Sequence, residues 1–387
     1  MSKKPREVQA AKHFIEKGMK KILFYLPNLH HGGAEGVMVD VANYLVAHDF
    51  DVVFVLVKAE GVLLDQLDLR INVINMNQSN QWFAFLKLPL IIRVEKPNYV
   101  FSTMKESNFI AILSKMIAQS EAESVIREAN TVSQQIANES KWYQKLKNKT
   151  IFYFYRYADH VVALSEAMKK DLLTVAPTLK NDQITVIPNP VDIKKIEKLA
   201  REPINPKELE LIQTRPLLLS VGGLREQKNY SFLFDALAEY RRQGNEFTFF
   251  ALGEGPLRTK LETQIKRLAL DDCCYLAGYQ SNPFKYMKQA EVFLLPSLFE
   301  GVSNSLLQAI SLRTKVLVAC TQKSSVAVVE QYLGGSVYNQ GDVDHFCAQL
   351  SSLLKLEKLE FSTNCLLHNS SLQSYAGLFI KKQNQEK

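Results

Sequence analysis

Short apolar runs alternate with longer stretches whose apolar residues recur at helical spacing, and the alternation holds over most of the chain. KILFYLPNL (21–29) reads as a strand ending in the loop HHGGAEG, and GVMVDVANYLVAHD then reads as an amphipathic helix. DVVFVLV (51–57), INVINMN (71–77), NYVFST (98–103) and HVVALS (160–165) read as further strands, ESVIREAN (123–130) as a strand running into a polar loop, and ITVIPNPVD (184–192) closes this half. Strand and helix alternating at this spacing specify a parallel sheet with helices on both faces, and right-handed crossovers make it doubly wound. Such sheets bind ligands at the carboxyl ends of their strands.

The pattern restarts after IKKIEKLAREPINPKELELI, a charged stretch that reads as a linker. PLLLSVGG (216–223), FTFFALGEG (247–255), CCYLAG, EVFLLPS and KVLVAC supply a second set of strands, with helical patterns between them. The expected fold class is α/β, with two tandem Rossmann-like doubly wound domains, 1–195 and 196–370, facing across a cleft. A helical tail, 371–387, is free to pack back on the first domain. Lys87 and Pro89 interrupt WFAFLKLPLIIRV, which therefore reads as a core helix ending near the proline and not as a membrane span.

Composition narrows the class. With 387 residues, 47% hydrophobic and 22% charged, the chain has the make-up of a soluble protein with a large core. Five cysteines, an odd number without zinc-like spacing, suit a reduced, cytoplasmic protein, and the N-terminal residues show no secretory apolar segment. The net charge of +7 is dispersed and no nucleic-acid recognition module appears.

Candidate chemistry sits where strands end. Gly32 and Gly33 stand between the first strand and its helix, and Gly222 and Gly223 do the same in the second half. Helix N-termini offer unpaired N–H groups, and glycine lets a phosphate reach the backbone; either pair alone can equally be a tight turn. GEGP, with Gly253, is a weaker signal still. Arg225 and Lys228 in GGLREQKN add a guanidinium and an ammonium suited to a diphosphate. Neither half has a full G-x-G-x-x-G followed by a ribose-binding acid, which argues against a nicotinamide enzyme. In SLFEGVSNSLLQAI (297–310) a lone acid, Glu300, stands where an apolar strand gives way to a helix. A helix cap is a poor explanation for it, because Ser303 and Asn304 are better placed to cap.

VGGLREQKNYSFLFDAL, FALGEGPLRTKLE and YLAGYQSNPFKYMKQAEVFLLPSLFEGVSNSLLQA, in this order, resemble the C-terminal domain of family 4 glycosyltransferases. ADHVVALSEAMKKDL and VIPNPVD resemble the end of that family's N-terminal domain, so the resemblance runs from residue 20 to about 345. It implies the GT-B fold and retaining, metal-independent transfer of a sugar from a nucleotide-sugar, with UDP as the family-level expectation. The acceptor would be a hydroxyl of a lipid-linked or cell-envelope glycan. It places Glu300 at the donor sugar as the catalytic carboxylate, and Gly33, Gly222, Gly223, Arg225, Lys228, Gly253, Tyr279, Asn304 and Gln308 on the donor. It places Glu128 and Asn130 on the acceptor side, and it implies no metal and no cofactor.

The chain departs from the family in four places. Gln308 stands for a second glutamate that grips the ribose, and an amide with one acceptor oxygen can still bond ribose with less charge assistance. Gly223 stands where many relatives have arginine, and Ala129 where many have histidine. CTQKSSVAVVE replaces a frequent glycine-proline-acid segment. These departures keep two alternatives open: a catalytically weakened GT-B binding or partner subunit, and a GT-B nucleotide-sugar epimerase.

KWYQKLKNKTIFYFYR (141–156) has five bases, no acid and six aromatics. Two readings stand side by side. The aromatics pack a core helix, or Lys141, Lys145, Lys147 and Lys149 are exposed and dock the protein on the inner face of the cytoplasmic membrane.

Overall fold

The computed structural model describes residues 19–30, 32–137, 142–321, 323–332, 334–357 and 368–380. They form two compact units, with the chain passing between them at Pro190/Val191 and again at His368/Asn369.

The first unit is built on a seven-stranded sheet ordered β3-β2-β1-β4-β5-β6-β7. Its elements run β1 (Lys21–Leu26), α1 (Gly33–Ala47), β2 (Asp51–Leu56), β3 (Asn72–Asn75), α2 (Ala84–Glu95), β4 (Tyr99–Thr103), α3 (Lys105–Ala118), β5 (Glu123–Arg127), α4 (Val132–Ala137), α5 (Trp142–Phe154), β6 (His160–Ala163), α6 (Glu166–Val175) and β7 (Ile184–Val186). Every neighbouring pair is parallel. Successive residues of β1 enter opposite cores: Ile22, Phe24 and Leu26 join one cluster, Leu23 and Tyr25 the other. That is why the strands read as unbroken apolar runs, since both faces of the sheet are covered.

The C-terminal helix His368–Leu378 belongs to this first unit. Leu372 and Tyr375 enter the same core cluster as β1, and the Phe379 ring lies 5.1 Å from Tyr99 and 5.7 Å from Phe101. Residues 381–387 of the expected tail lie outside the described residues.

The second unit carries a six-stranded sheet ordered β10-β9-β8-β11-β12-β13, again parallel throughout. It contains α7 (Ile193–Leu199), α8 (Pro206–Gln213), β8 (Leu217–Val221), α9 (Tyr230–Arg242), β9 (Thr248–Leu252), α10 (Arg258–Arg267), β10 (Cys274–Gly278), α11 (Phe284–Gln289), β11 (Val292–Leu295), α12 (Asn304–Ser311), β12 (Lys315–Ala319), α13 (Lys323–Val329), β13 (Gly335–Tyr338) and α14 (Val343–Lys355).

Two local readings of the sequence are corrected. The supposed linker is the pair α7 and α8, both fastened to the second unit. Asn282 donates to the Leu199 carbonyl at 2.8 Å, and Tyr286 donates to Glu208 at 2.6 Å. The helix around Pro89 does not stop there: α2 runs on to Glu95. Pro89 removes one N–H bond whose acceptor would be the Phe85 carbonyl, and Phe85 is exposed, so water can take its place. Strand β5 ends at Arg127, so Glu128 and Asn130 lie in the polar loop into which the sequence pattern runs.

Candidate active site

In the second unit the glycine loops and the lone acid converge on one sheet edge. Strand β8 is central, flanked by β9 and β11, so the loops leaving these strands are neighbours. Gly222 and Gly223 leave β8, Gly253 leaves β9, Gly278 and Tyr279 leave β10, and Glu300 lies between β11 and α12.

Close approach of backbones explains the glycines. Gly253 has φ +153°, and a Cβ there would lie 2.1 Å from the Gly222 carbonyl oxygen. Its N–H donates to the Gly278 carbonyl at 2.8 Å, and Gly278 itself has φ +73°. At Gly222 a Cβ would come within 2.9 Å of the Lys228 side chain, which lies across the loop.

Lys228 ends a 3-10 turn, Glu226–Lys228, and its ammonium donates to the Glu300 carboxylate. Both side chains are largely buried, at 19% and 11% exposure, so the charges face each other under weak screening. Three bonds hold the two loops in this register. The Gln227 amide donates to the Phe299 carbonyl at 2.8 Å, the Leu298 N–H donates to the Gln227 carbonyl at 2.8 Å, and the Asn229 amide donates to the Pro296 carbonyl at 3.3 Å. Asn229 adopts φ +53°, a conformation asparagine tolerates better than most residues.

Beneath the pair, the Tyr230 hydroxyl donates to the Gly222 carbonyl at 3.3 Å. Burial pushes this phenol up to about 12; the Glu300 charge adds to the rise, and the bond from Ser220 opposes it. Asn304 and Gln308, four residues apart on α12, are both half-buried. Ser303 takes the N-cap position, yet its hydroxyl pairs with Ser305 at 3.1 Å and makes no side-chain cap bond. The capping role expected of Ser303 is therefore absent. Arg225 is exposed, with its Nε 3.6 Å from where a Gly223 Cβ would stand. Tyr279 is 42% exposed beside Gly278.

The remaining sequence candidates lie in the first unit. Gly33 opens α1, where a Cβ on Gly32 would lie 1.6 Å from the Glu35 carboxylate. An anion at this helix end would have to displace Glu35. Glu128 is 2% exposed at the carboxyl end of β5. The Tyr155 hydroxyl donates to its Oε1, and the Asn108 amide donates to the same oxygen at 3.1 Å. Burial raises the Glu128 carboxyl to about 7 against these two bonds, with Glu106 adding to the rise and Lys105 opposing it. Asn130 is half-buried two residues on. Next to Glu128, the buried Arg127 guanidinium donates to Thr103 and Tyr375, each at 3.1 Å, and to Asn189.

Two family models tile this architecture. The model described as Glycosyltransferase Family 4 matches residues 31–195, and the one described as Glycosyl transferases group 1 matches residues 202–365. The chain belongs to this glycosyltransferase family. An uncharacterized glycosyltransferase of Methanocaldococcus jannaschii is 31% identical over 175 residues, which is 45% of this chain and 43% of that protein. A Campylobacter jejuni enzyme named as an N-acetylgalactosamine-N,N'-diacetylbacillosaminyl-diphospho-undecaprenol 4-alpha-N-acetylgalactosaminyltransferase is 29% identical over 80% of this chain and 82% of its own length. Among solved structures, an Anabaena protein in complex with UDP-glucose is similar with a TM-score of 0.71 at 16% identity, covering 93% of this chain and 99% of that one. A glycosyltransferase involved in lipopolysaccharide biosynthesis is similar with a TM-score of 0.68 at 16% identity, covering 92% of this chain and 93% of that one. These structural likenesses establish the two-unit GT-B fold.

Sequence reasoning missed several residues of these two clusters. Tyr230, Gln227 and Asn229 look like ordinary loop and helix residues, and only the folded loop shows them beneath and beside the ion pair. Asn108 and Tyr155 lie 20 and 27 positions from Glu128, with no spacing to betray the cluster. The Asn that precedes a helix in REQKN was the one legible sign of a left-handed turn.

Proposed function

We propose that this glycosyltransferase transfers a sugar from UDP-sugar to a hydroxyl of a lipid-linked, cell-envelope glycan, with retention at the anomeric carbon and without a metal or other cofactor. The observation that carries the reading is the Lys228–Glu300 ion pair, set among glycine loops on the carboxyl edge of one sheet. In the free protein the two charges neutralise each other. A diphosphate arriving beside Gly222 competes for the ammonium, which its closer and larger charge attracts. The Glu300 carboxylate is then released to accept from the sugar hydroxyls and to face positive charge as it develops at the anomeric carbon. Gln308 bonds the ribose through its amide, and Arg225 reaches in from the rim in place of the arginine absent at Gly223.

The donor nucleotide is supported by the Anabaena neighbour solved with UDP-glucose, and the envelope setting by the names of the Campylobacter and lipopolysaccharide relatives. A panel of nucleotide-sugars scored by ligand-induced rise in melting temperature tests donor choice. Turnover of the selected donor with a membrane extract, against Glu300→Ala as blank, tests transfer. Donor binding without turnover above that blank would replace the reading with a binding or partner subunit.

A further inference from the structure

The first unit carries an apolar surface that its own core does not cover. Helix α2 buries Ala84, Leu88 and Ile92 against the sheet, as a surface helix should. Its outer side is apolar as well: Leu86, Leu90 and Val94 are exposed by 59%, 57% and 79%, and Phe83, in the turn just before the helix, by 51%. Steps of three, four and four residues put these side chains in one stripe along the helix. The charged residues exposed beside the stripe are Lys87 and Arg93, both basic. Glu95, at the helix end, is half-buried and pairs with Lys21 at 3.0 Å, which also faces Asp51 at 3.4 Å.

Helix α5, which packs on α3 as α2 does, carries exposed apolar residues of its own. Trp142, Tyr143, Leu146 and Tyr153 are exposed, while Asn148, Ile151 and Phe152 face inward. The aromatics are thus divided between the core and the outside. Lys145, Lys149 and Arg156 are exposed, and no acidic residue occurs from 142 to 157. Lys147, expected to be free, is half-buried: it pairs with Glu106 at 3.1 Å and lies over the Trp82 ring at 5.8 Å. Lys141 lies outside the described residues. Trp82 in the turn leading into α2, Phe109 on α3 and Phe154 at the end of α5 form a chain of rings from one helix to the other, with centroids 6.2 and 5.1 Å apart in turn.

We infer that α2 and α5 together form a docking face for an anionic lipid bilayer. Exposed leucine, valine and phenylalanine beside tryptophan and tyrosine match the boundary between headgroups and acyl chains. Accompanying bases without acids match anionic headgroups, and the same like-signed charge disfavours a second copy packing isologously on this face. Helix α5 also reaches the acceptor-side cluster, through Lys147 on Glu106 and, just past its end, Tyr155 on Glu128. The bilayer face is therefore braced against the strand ends where a lipid-linked acceptor would offer its sugar. Only this last point rests on the proposed function.

The test uses the full chain with vesicles of pure phosphatidylcholine and vesicles containing phosphatidylglycerol, followed by co-sedimentation at low and high salt. One variant carries Leu86→Ser, Leu90→Ser and Val94→Ser; a second carries Lys145→Gln, Lys149→Gln and Arg156→Gln. Wild type should bind the phosphatidylglycerol vesicles more tightly, and less so at high salt. Each variant should weaken that binding roughly tenfold to a hundredfold while keeping the wild-type melting temperature and UDP-induced melting shift. Equal recovery of wild type with and without vesicles overturns the inference. So does a dimer in sedimentation velocity that the leucine-to-serine variant dissociates while vesicle binding stays absent. Failure of donor turnover with intact vesicle binding would defeat the functional reading alone.

Discussion

The Lys228 ammonium rests on the Glu300 carboxylate across a gap of 72 residues in sequence, while the stem of the same lysine fills the space above Gly222. One side chain thus connects the proposed phosphate position to the proposed sugar position. Its removal should be felt first in binding. Lys228→Ala should weaken UDP and UDP-sugar alike by about 1.5–3 kcal/mol, the worth of a charged hydrogen bond. Uridine should lose almost nothing. Calorimetric titration of the three ligands checks this, and an equal loss for uridine would move the phosphate elsewhere.

Glu300 should behave differently, because its proposed interaction strengthens as charge develops in the reaction. Glu300→Gln keeps the shape and one acceptor oxygen but removes the charge. Turnover should fall by at least about a hundredfold, with donor affinity changed by less than about threefold. Single-turnover kinetics separates the two quantities. A loss confined to donor affinity would make Glu300 a binding residue only.

The glycine at the end of β9 offers a test of loop geometry. At Gly253 an alanine meets both an unfavourable φ of +153° and the Gly222 carbonyl oxygen at 2.1 Å. At Gly244 an alanine meets φ +86° and nothing within 4 Å. Gly244→Ala should therefore cost about 1 kcal/mol of stability and leave UDP binding alone. Gly253→Ala should cost more, about 1–3 kcal/mol, and should also weaken UDP binding by displacing Gly222. Chemical unfolding and UDP titration of the two variants, compared side by side, read both effects.

The elements legible in the sequence were those whose burial is two-sided. Residues 22–26 or 292–295 read as strands because sheet and helices cover both faces, so every position is apolar or aromatic and buried. The stretch at 193–213 was misread for the opposite reason. Few residues of α7 and α8 are buried, among them Ile196 and Ile212, and too few apolar positions recur to set a period. Helix α2 misled through its outer stripe, since exposed leucines look the same in sequence as buried ones. Glu300 was legible because an acid at the end of an apolar strand has no core role. Its partner was not, because which loops adjoin depends on strand order, and strand order is not written locally. The C-terminal helix shows Leu372, Tyr375 and Phe379 at helical spacing, but nothing in those residues names the core they enter.

Glu128 makes the first unit sensitive to pH. Its carboxyl is raised to about 7 from an ordinary value near 4.5, so the folded state holds the proton more tightly than the unfolded chain does. Stability from this group is fully present below about pH 4.5 and is lost as pH rises through about 7. The groups facing it are Tyr155, whose own phenol burial raises far above its usual range, with Glu106 and Lys105. Over this window the loss is of order 3 kcal/mol. Glu128→Gln carries no proton to lose and should show little of this decline. Urea unfolding of both proteins at pH 5 and pH 8 measures the difference; parallel declines would assign the effect to another group.

Arg127 is 1% exposed and has no carboxylate partner among the described residues. Neutral oxygens hold it instead: Thr103 and Tyr375, each at 3.1 Å, and Asn189. Two of these partners flank the chain's passages between its units, Asn189 just before Pro190/Val191 and Tyr375 just after His368/Asn369. Tyr375→Phe keeps the ring in its core cluster and deletes one oxygen, leaving a charged N–H buried without an acceptor. The cost should be about 1.5–3 kcal/mol. Arg127→Met removes the charge and the need for that acceptor together. In the double variant the second substitution should therefore cost much less than it does alone, with a coupling of at least about 1 kcal/mol. The two units can unfold separately, so the measurement follows the transition of the first unit, reported by the Trp82 and Trp142 fluorescence it alone contains. Effects that add to within about 0.5 kcal/mol would show that the Arg127–Tyr375 bond contributes nothing beyond its separate parts.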